Sequence, residues 1–349
     1  MHRIHEIKPS DKAAEQLSRE RWDSIAKPLG SLGLLENAVE RIAGIQGSAD
    51  VDISRRSVVV MCADNGVVCE GVTQSDSSVT ALCAAEIARG NSSVNRLAEC
   101  FGADVAAVDI GINRDVREPL LIMRKIAYGT QNIARGSAMT ITQAQRALCV
   151  GMDIVRSLKD SGVKLIITGE MGIGNTTTAS ALASVLLSLP PREVTGRGAG
   201  LDSPGLERKI SAVERAIAVN QPDAGKPLEL LAKLGGFDIA GMTGLFLGGA
   251  YYRIPVIIDG VISAAAALIA CRISHSARDF MLASHVSAEP AGALLLKELG
   301  LKPLICAEMH LGEGTGGVML LPLLDGALKV YEQAHRFDDI KLERYERLI

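Results

Sequence analysis

One stretch of the chain combines three glycines, a carboxylate and a run of hydroxyl side chains, groups that together can bind an anion. It is Thr168-Gly-Glu-Met-Gly-Ile-Gly-Asn-Thr-Thr-Thr178, called the glycine loop below, and it joins an apolar run to a small-residue helical run. Glycine lets the backbone come close to a ligand, and unpaired N–H groups at a helix start attract negative charge. The pattern predicts a phosphate-binding loop, with a tight turn that binds no ligand as the alternative. Glu170 lies inside the loop, where a carboxylate needs another ligand group to contact, such as sugar hydroxyls.

A second carboxylate, Glu313, stands between Gly312 and Gly314 in the last strand-to-helix connection. With little crowding on either side, its side chain can project into a cleft and act as a general base. The alternative is an acid that only stabilises the start of a helix through the macrodipole. His285 has no partner that its spacing identifies, and the absence of Gly-x-Ser-x-Gly disfavours a serine hydrolase.

The glycine loop does not match the patterns of three common nucleotide sites. A P-loop needs a lysine where Asn175 and Thr176 stand, and a dinucleotide-binding loop needs a third glycine where Thr177 stands. A site for diphosphorylated ribose is expected to present paired acids after a strand, and Ile258-Asp-Gly260 offers one. The remaining interpretation is a monophosphate bound by backbone N–H groups, without an obligatory metal. Lys209 either closes over that phosphate or belongs to a solvated charged helix face.

Composition excludes several classes of partner. The 349 residues carry a net charge of -3 and only 3% aromatic side chains, so the chain lacks the basic, stacking surface of a nucleic-acid binder. The N-terminal residues, Met-His-Arg-Ile-His-Glu, lack the hydrophobic core of a signal peptide. The most apolar stretches of the chain are interrupted by aspartate or proline. We therefore expect a cytoplasmic protein without membrane spans. The seven scattered cysteines form no Cys-x-x-Cys pair and are expected to be reduced thiols, mostly in the core.

Strand-like apolar runs alternate with helical patterns along most of the chain, which predicts an α/β fold with a doubly wound, mostly parallel, Rossmann-like sheet. The strands are expected near residues 57–62, 103–109, 164–168, 254–259, 279–283 and 303–307. Helices are expected over residues 12–47 with a break at 27–33, and over 79–98, 140–158, 206–219, 261–270 and 341–349.

Two units are expected. The catalytic α/β domain spans residues 51–335. Residues 1–50, joined by 336–349, form a small helical second unit.

Five motifs, taken together and in this order, closely resemble those of the nicotinate-nucleotide:dimethylbenzimidazole phosphoribosyltransferase family. They are Lys27-Pro-Leu-Gly-Ser-Leu-Gly33, Gly169-Glu-Met-Gly-Ile-Gly-Asn-Thr-Thr-Thr178, Gly235-Gly-Phe-Asp-Ile-Ala-Gly241, Ser284-His-Val-Ser-Ala-Glu289 and Leu311-Gly-Glu-Gly-Thr-Gly316. The resemblance covers about residues 20–335. It implies transfer of phosphoribose from nicotinate mononucleotide to an aromatic base, giving an α-riboside phosphate for the lower ligand of a cobamide, and release of nicotinate. A non-catalytic or regulatory paralogue subunit of such an enzyme is the alternative.

The resemblance also assigns roles to individual residues. Glu313 would take the acceptor's proton, and Glu170 would orient the ribose or the reacting bases. The donor and its phosphate would be held by Gly172, Gly174, Asn175, Thr176, Lys209, Ser287 and Thr315. The acceptor pocket would include Thr73, Gln74, Ser75, Asp76 and Leu311. No metal or cofactor is implied, because the pyridinium leaving group departs uncharged and no diphosphate has to be stabilised.

The chain departs from the family pattern near the implied acceptor pocket. It has Asp64-Asn-Gly66 where the family usually has Asp-His-Gly, and Thr73-Gln-Ser-Asp76 where the family has a Ser-x-Tyr-Pro segment. Losing an aromatic ring and a proline implies a relaxed or altered acceptor choice, including purines or phenols besides dimethylbenzimidazole. The family forms dimers, so a dimer is expected, either of identical chains or with a related subunit.

Overall fold

The computed structural model describes residues 4–347 and contains a six-stranded sheet of parallel strands. The strands are β1 Arg56–Ala63, β2 Ala103–Gly111, β3 Ile122–Met123, β4 Leu165–Met171, β5 Val256–Ile258 and β6 Met281–Ala283. Their spatial order is β3-β2-β1-β4-β5-β6, so the winding reverses between β1 and β4. This order is that of the doubly wound dinucleotide-binding folds, in which ligands bind beyond the carboxyl ends of the strands. The predicted fold class is confirmed.

Fourteen α-helices lie among the described residues. They are α1 Lys12–Ser24, α2 Leu34–Gln46, α3 Ser78–Arg89, α4 Ser93–Cys100, α5 Ile141–Asp160, α6 Asn175–Leu187, α7 Pro191–Val194, α8 Ser203–Asn220, α9 Pro227–Leu234, α10 Phe237–Tyr252, α11 Val261–Ile273, α12 Ala291–Leu299, α13 Thr315–Met319 and α14 Leu321–Gln333. Short 3-10 segments occupy Ile4–Glu6, Gly66–Glu70, His275–Phe280 and Asp338–Ile340. None of the helices within residues 4–347 is both long and apolar enough to cross a membrane.

The apolar run in β1 is continuous because both faces of the strand are buried. Val59 and Met61 belong to the core cluster on one side of the sheet, and Val58 and Val60 belong to the cluster on the other side. All four are 0% exposed. A strand in the middle of a parallel sheet covered by helices on both faces has this pattern.

Helices α5 and α10 cross with their backbones nearly in contact. A Cβ added at Gly151 would lie 2.1 Å from the carbonyl oxygen of Gly241, and one at Gly244 would lie 2.1 Å from that of Leu148. Real Cβ atoms do not approach this closely, so glycine at these positions sets the distance between the two helices.

The sequence-based expectations for secondary structure were wrong in several places. Residues 303–307 form no strand, because Pro303 has no N–H to donate and Ile305 makes only an isolated bridge to His285. The helix expected over 79–98 is two helices, since Gly90 adopts a left-handed φ of 84° and ends α3. The edge strand β3 was not expected, and its two residues are too few to show an alternating pattern.

The chain termini differ from expectation in part. No helix follows Lys341, which has a left-handed φ of 57°, and residues 342–347 are irregular. The last two residues of that expected helix lie outside the described residues. The ring of Trp22 in α1 lies 4.8 Å from that of Tyr331 in α14, so the first and last helices are in contact. The division into two units stays a prediction.

All seven cysteines are free thiols, as expected, but the expectation that most lie in the core was wrong. Only Cys62 is buried, whereas Cys69, Cys100 and Cys306 are exposed. Cysteine is one of the most frequently buried residue types, and that average does not decide the position of an individual thiol.

Replacing Gly151 with alanine should lower the free energy of unfolding by about 1–3 kcal/mol, because the added methyl group forces α5 and α10 apart. Urea denaturation of the purified chain measures this change. Gly326→Ala is the matched control, since Gly326 is a helical glycine with nothing within 4 Å of an added Cβ. The control should be neutral or stabilising by up to about 1 kcal/mol, and equal effects of the two changes would contradict the close crossing.

Candidate active site

A cavity of ≈ 200 Å³ opens beyond the carboxyl ends of β4, β5 and β6. The glycine loop contributes Glu170, Gly172, Asn175 and Thr176 to its wall, and Glu313 lies on the segment that closes it. The other lining residues are Met171, Ile173, Gly198, Ala199, Asp259, Gly260, Val261, Ile262, Ser263, His285, Ser287, Glu289, His310, Leu311 and Gly312. A wider cleft of ≈ 950 Å³ adjoins it and shares five of these residues, among them Leu311.

The glycine loop contacts a second loop, residues 312–317, which carries Glu313 and is called the Glu313 loop below. A Cβ at Gly169 would lie 2.4 Å from the carbonyl oxygen of Glu313. A Cβ at Gly312 would lie 2.4 Å from Oε1 of Glu170. The two predicted carboxylates therefore reach the same cavity because glycine lets their loops touch.

Glu313 has a strained backbone conformation, and its side chain contacts the first turn of α4. Its φ of 61° is in the left-handed region, which costs a non-glycine residue on the order of 1–3 kcal/mol. Its Oε2 accepts a hydrogen bond of 3.3 Å from the backbone N–H of Val94. Burial raises the pKa of Glu313, and the hydrogen bonds from Val94 and Ser92 oppose this rise. A carboxylate with a raised pKa accepts a proton more readily than an ordinary one.

Asp259, which directly follows β5, anchors the Glu313 loop. Its carboxylate accepts hydrogen bonds from the backbone N–H groups of Gly314 at 3.2 Å and Gly317 at 3.1 Å. His285 packs against the same loop, where a Cβ at Gly316 would lie 2.0 Å from its Nδ1. Burial raises the pKa of Asp259, whereas the neighbouring His285 acts to lower it.

Glu170 shares a hydrogen-bond donor with a deeper acid. The Nδ2 group of Asn175 donates to Oε2 of Glu170 and, at 3.1 Å, to Oδ2 of Asp238. Burial and then the charge of Asp238 raise the pKa of Glu170 to about 8. The amide of Asn175, to which the resemblance assigns a role in holding the phosphate, lies between these two carboxylates.

The buried ammonium group of Lys209 lies behind Gly198, which lines the cavity. Lys209 is 0% exposed, and its Nζ donates a hydrogen bond of 2.8 Å to Oγ1 of Thr176. Burial lowers the pKa of Lys209 to about 8, and Glu289 opposes the shift. A Cβ at Gly198 would lie 3.1 Å from this Nζ, so only a glycine separates the ammonium from the cavity at that point. With the start of α6, this arrangement can bind an anion.

Some of the remaining predicted site residues line the cavity, and others do not. Ser287 and the exposed Leu311 line the cavity, and Gly174 caps the start of α6. Thr315 is buried and donates from Oγ1 to the carbonyl of Gly312 at 2.8 Å. None of the described residues lining the cavity comes from the segment Thr73, Gln74, Ser75 and Asp76. Gln74 of this segment donates from Nε2 to the carbonyl of Gly200, which lines the adjoining cleft.

Sequence reasoning did not assign site roles to Asp238, Asp259, His285 or Glu289. Asp259 carried a signal, because an acid followed by glycine at a strand end projects into the cleft of such folds. The pairing of Asp238 with Asn175 joins residues far apart in the chain and left no signal in the spacing. Within residues 4–347, no group of three or more histidine, cysteine or acidic side chains is arranged to hold a metal ion.

Comparisons with known proteins agree on one family. A family profile described as "Phosphoribosyltransferase" matches residues 7–341. The nicotinate-nucleotide–dimethylbenzimidazole phosphoribosyltransferase of Ruminiclostridium cellulolyticum is 45% identical over 345 residues, covering 99% of this chain and 98% of that protein. The enzyme of the same name from Clostridium acetobutylicum is 44% identical, covering 95% of this chain and 94% of that protein. The crystal structure of CobT from Thermus thermophilus superposes with a TM-score of 0.90 at 38% identity, covering 95% of this chain and 100% of that one.

Replacing Lys209 with methionine should weaken binding of ribose 5-phosphate by about 10–100-fold, the value of a lost charged hydrogen bond. In the unmodified chain the affinity should fall as the pH rises through about 8, because Lys209 loses its charge there. Isothermal titration calorimetry measures both effects. Arg208→Met is the matched control, an exposed cation one position away on α8, and should bind almost normally. Equal affinities of the two variants would contradict the assignment.

Proposed function

The chain belongs to the nicotinate-nucleotide:dimethylbenzimidazole phosphoribosyltransferase family, and on this premise we propose that it transfers ribose 5-phosphate from nicotinate mononucleotide to an aromatic base. The products are an α-riboside phosphate and nicotinate, and the step serves assembly of the lower ligand of cobamides of the vitamin B12 type. One observation carries the proposal. A single cavity combines an anion site, formed by the start of α6 and Lys209, with a half-buried carboxylate of raised pKa.

The donor is proposed to bind with its phosphate at the glycine loop. Backbone N–H groups near Gly172 and Gly174, together with Thr176 and the charge of Lys209, suit one phosphate group. The ribose then extends toward Glu170, which lies at the other end of the loop. Because the nicotinate ring leaves with the bonding electrons and becomes uncharged, the reaction does not require a metal to stabilise the leaving group.

Glu313 is proposed as the general base. A nitrogen of the acceptor base, or the oxygen of a phenol, forms a bond to C1 of the ribose while the bond from C1 to the pyridinium nitrogen breaks. The acceptor's proton passes to the carboxylate of Glu313. The raised pKa of this carboxylate and its fixed position against α4 favour the transfer, and holding both reactants in one cavity supplies much of the remaining rate enhancement.

Replacing Glu313 with glutamine should lower kcat by about 10² or more, the usual effect of losing a general base, while donor binding stays nearly intact. Release of nicotinate measured by chromatography gives kcat, and calorimetry gives the affinity for nicotinate mononucleotide. Glu332→Gln, on the exposed side of α14, is the control and should behave like the unmodified chain. Near-normal turnover of Glu313→Gln would remove Glu313 from this role.

The acceptor choice is proposed to be broader than dimethylbenzimidazole. Support comes from the departures at Asn65 and at residues 73–76 from the family pattern. Asn65 is 1% exposed and packs against the glycine loop, where a Cβ at Gly174 would be 3.3 Å from the Cβ of Asn65. Both departures therefore act on the acceptor through neighbouring loops, and the exposed Leu311 offers an apolar surface to an aromatic ring.

A competition experiment tests acceptor choice. The chain is incubated with nicotinate mononucleotide and an equimolar mixture of dimethylbenzimidazole, a purine and a phenol, and the products are identified by mass spectrometry. We expect riboside phosphates of more than one acceptor. A phenol has an unperturbed pKa of about 10 and so depends most on the base at Glu313. Exclusive use of dimethylbenzimidazole would refute the broader choice.

The chain is proposed to act in the cytoplasm as a dimer. A dimer is what the resemblance implies, and the free thiols suit a reducing compartment. Assaying the purified chain alone for nicotinate release separates an active enzyme from a subunit that needs a related partner. Light scattering on the same sample gives its mass. A monomer that is inactive alone would favour the heterodimer.

A further inference from the structure

Glu170 and Asp238 are two carboxylates joined by one amide in the interior of the protein. Glu170 lines the cavity, and Asp238, in the first turn of α10, is 0% exposed behind it. The Asn175 amide donates two hydrogen bonds, one to Oε2 of Glu170 and one to Oδ2 of Asp238. Gly172 closes the space, since a Cβ there would lie 2.6 Å from Oδ2 of Asp238.

The hydrogen bonds decide where a proton on this pair resides. Oε2 of Glu170 accepts from Asn175, so a proton on Glu170 is carried by Oε1. Oε1 faces the Glu313 loop, where a Cβ at Gly312 would lie 2.4 Å away, and Gly312 lines the cavity. Asp238 accepts from Asn175 and from the backbone N–H of Ile239 at 2.9 Å, which stabilises its ionised form.

The charges that face Glu170 from neighbouring elements oppose its ionisation. They are the carboxylates of Asp238 on α10, Asp259 after β5 and Glu313 before α13, and the thiol of Cys62 on β1 is also close. Burial and these charges raise the pKa of Glu170 to about 8, and burial raises that of Asp238 to about 6. At neutral pH the pair therefore holds one proton, on Glu170.

We propose that Glu170 works as a neutral acid whose Oε1–H donates a hydrogen bond to the bound substrate, and that Asp238, whose negative charge lies on the other side of the Asn175 amide, is the positioning residue that keeps it in this state. A neutral donor can hold a ribose oxygen without repelling the negatively charged donor nucleotide. The identity of the substrate rests on the proposed function, whereas the protonation state of Glu170 does not.

Difference infrared spectroscopy tests the protonation state without substrate. The spectrum of the unmodified chain minus that of Glu170→Gln, both at neutral pH, should contain a carboxylic-acid C=O band. This band should disappear as the pH rises through about 8. Carboxylate bands alone at neutral pH would overturn the inference, even if the chain proves to be an active phosphoribosyltransferase.

The pH dependence of kcat/KM tests the use of that proton. Glu170→Ala should lower kcat/KM by about 10–100-fold through loss of the hydrogen bond. Glu170→Gln places an N–H where the O–H was and should recover most of this loss. Above a pH of about 8 it should also outperform the unmodified chain, whose Glu170 is ionised there. If Glu170→Gln is as slow as Glu170→Ala, or the unmodified chain speeds up relative to Glu170→Gln through this pH, Glu170 works as an anion.

Asp238→Asn tests the positioning role. Without the charge of Asp238, Glu170 ionises at lower pH, so the alkaline fall in kcat/KM should move to lower pH. The same change in a Glu170→Gln background should leave the pH dependence of kcat/KM unchanged. If Asp238→Asn instead lowers activity equally at every pH, Asp238 has a merely structural role, and its assignment as a positioning residue is overturned. Asp238→Ser, which also removes the charge, is the second variant if Asp238→Asn does not fold.

Discussion

The contact between the glycine loop and the Glu313 loop is the constraint on which the site depends. The backbone of Glu313 lies where a Cβ of Gly169 would be, and the backbone of Gly314 lies close to Thr168, the residue before Gly169. Any side chain at these glycines would separate the loops and move Glu170 and Glu313 apart. Asp259 stabilises this contact by accepting hydrogen bonds from two backbone N–H groups of the Glu313 loop. The strained φ of Glu313 persists because this surrounding structure enforces it.

Burial shifts the pKa values of an acid and a base at the cavity in opposite directions. It raises the pKa of Glu170 and lowers that of Lys209, and both values come to about 8. Removing a group from water always disfavours its charged form, so an acid becomes neutral and a base loses its proton more readily. The hydrogen bonds from Asn175 to the acids and from Lys209 to Thr176 offset part of this cost. Groups poised near neutral pH in one cleft are typical of catalytic sites.

Local signals predicted the sheet well where strands are long and buried on both faces, as in β1 and β4. They failed where the structure depends on single residues, such as Gly90, which divides one expected helix into α3 and α4. They also failed at residues 303–307, an apolar run of strand length. That run lies beside β6, but a proline and a single bridge at Ile305 leave it without a ladder.

By itself, the sequence determined the order of most strands and helices, the glycine loop, the two carboxylates and the family to which the chain is similar. These follow from local patterns and from motifs in a definite order. Only the tertiary structure decided that Asn175 bridges Glu170 and Asp238, that Asp259 anchors the Glu313 loop, and that residues 73–76 lie off the cavity wall. The physical reason is that burial and contacts between distant segments set a side chain's partners and charge, and neither is encoded in local spacing.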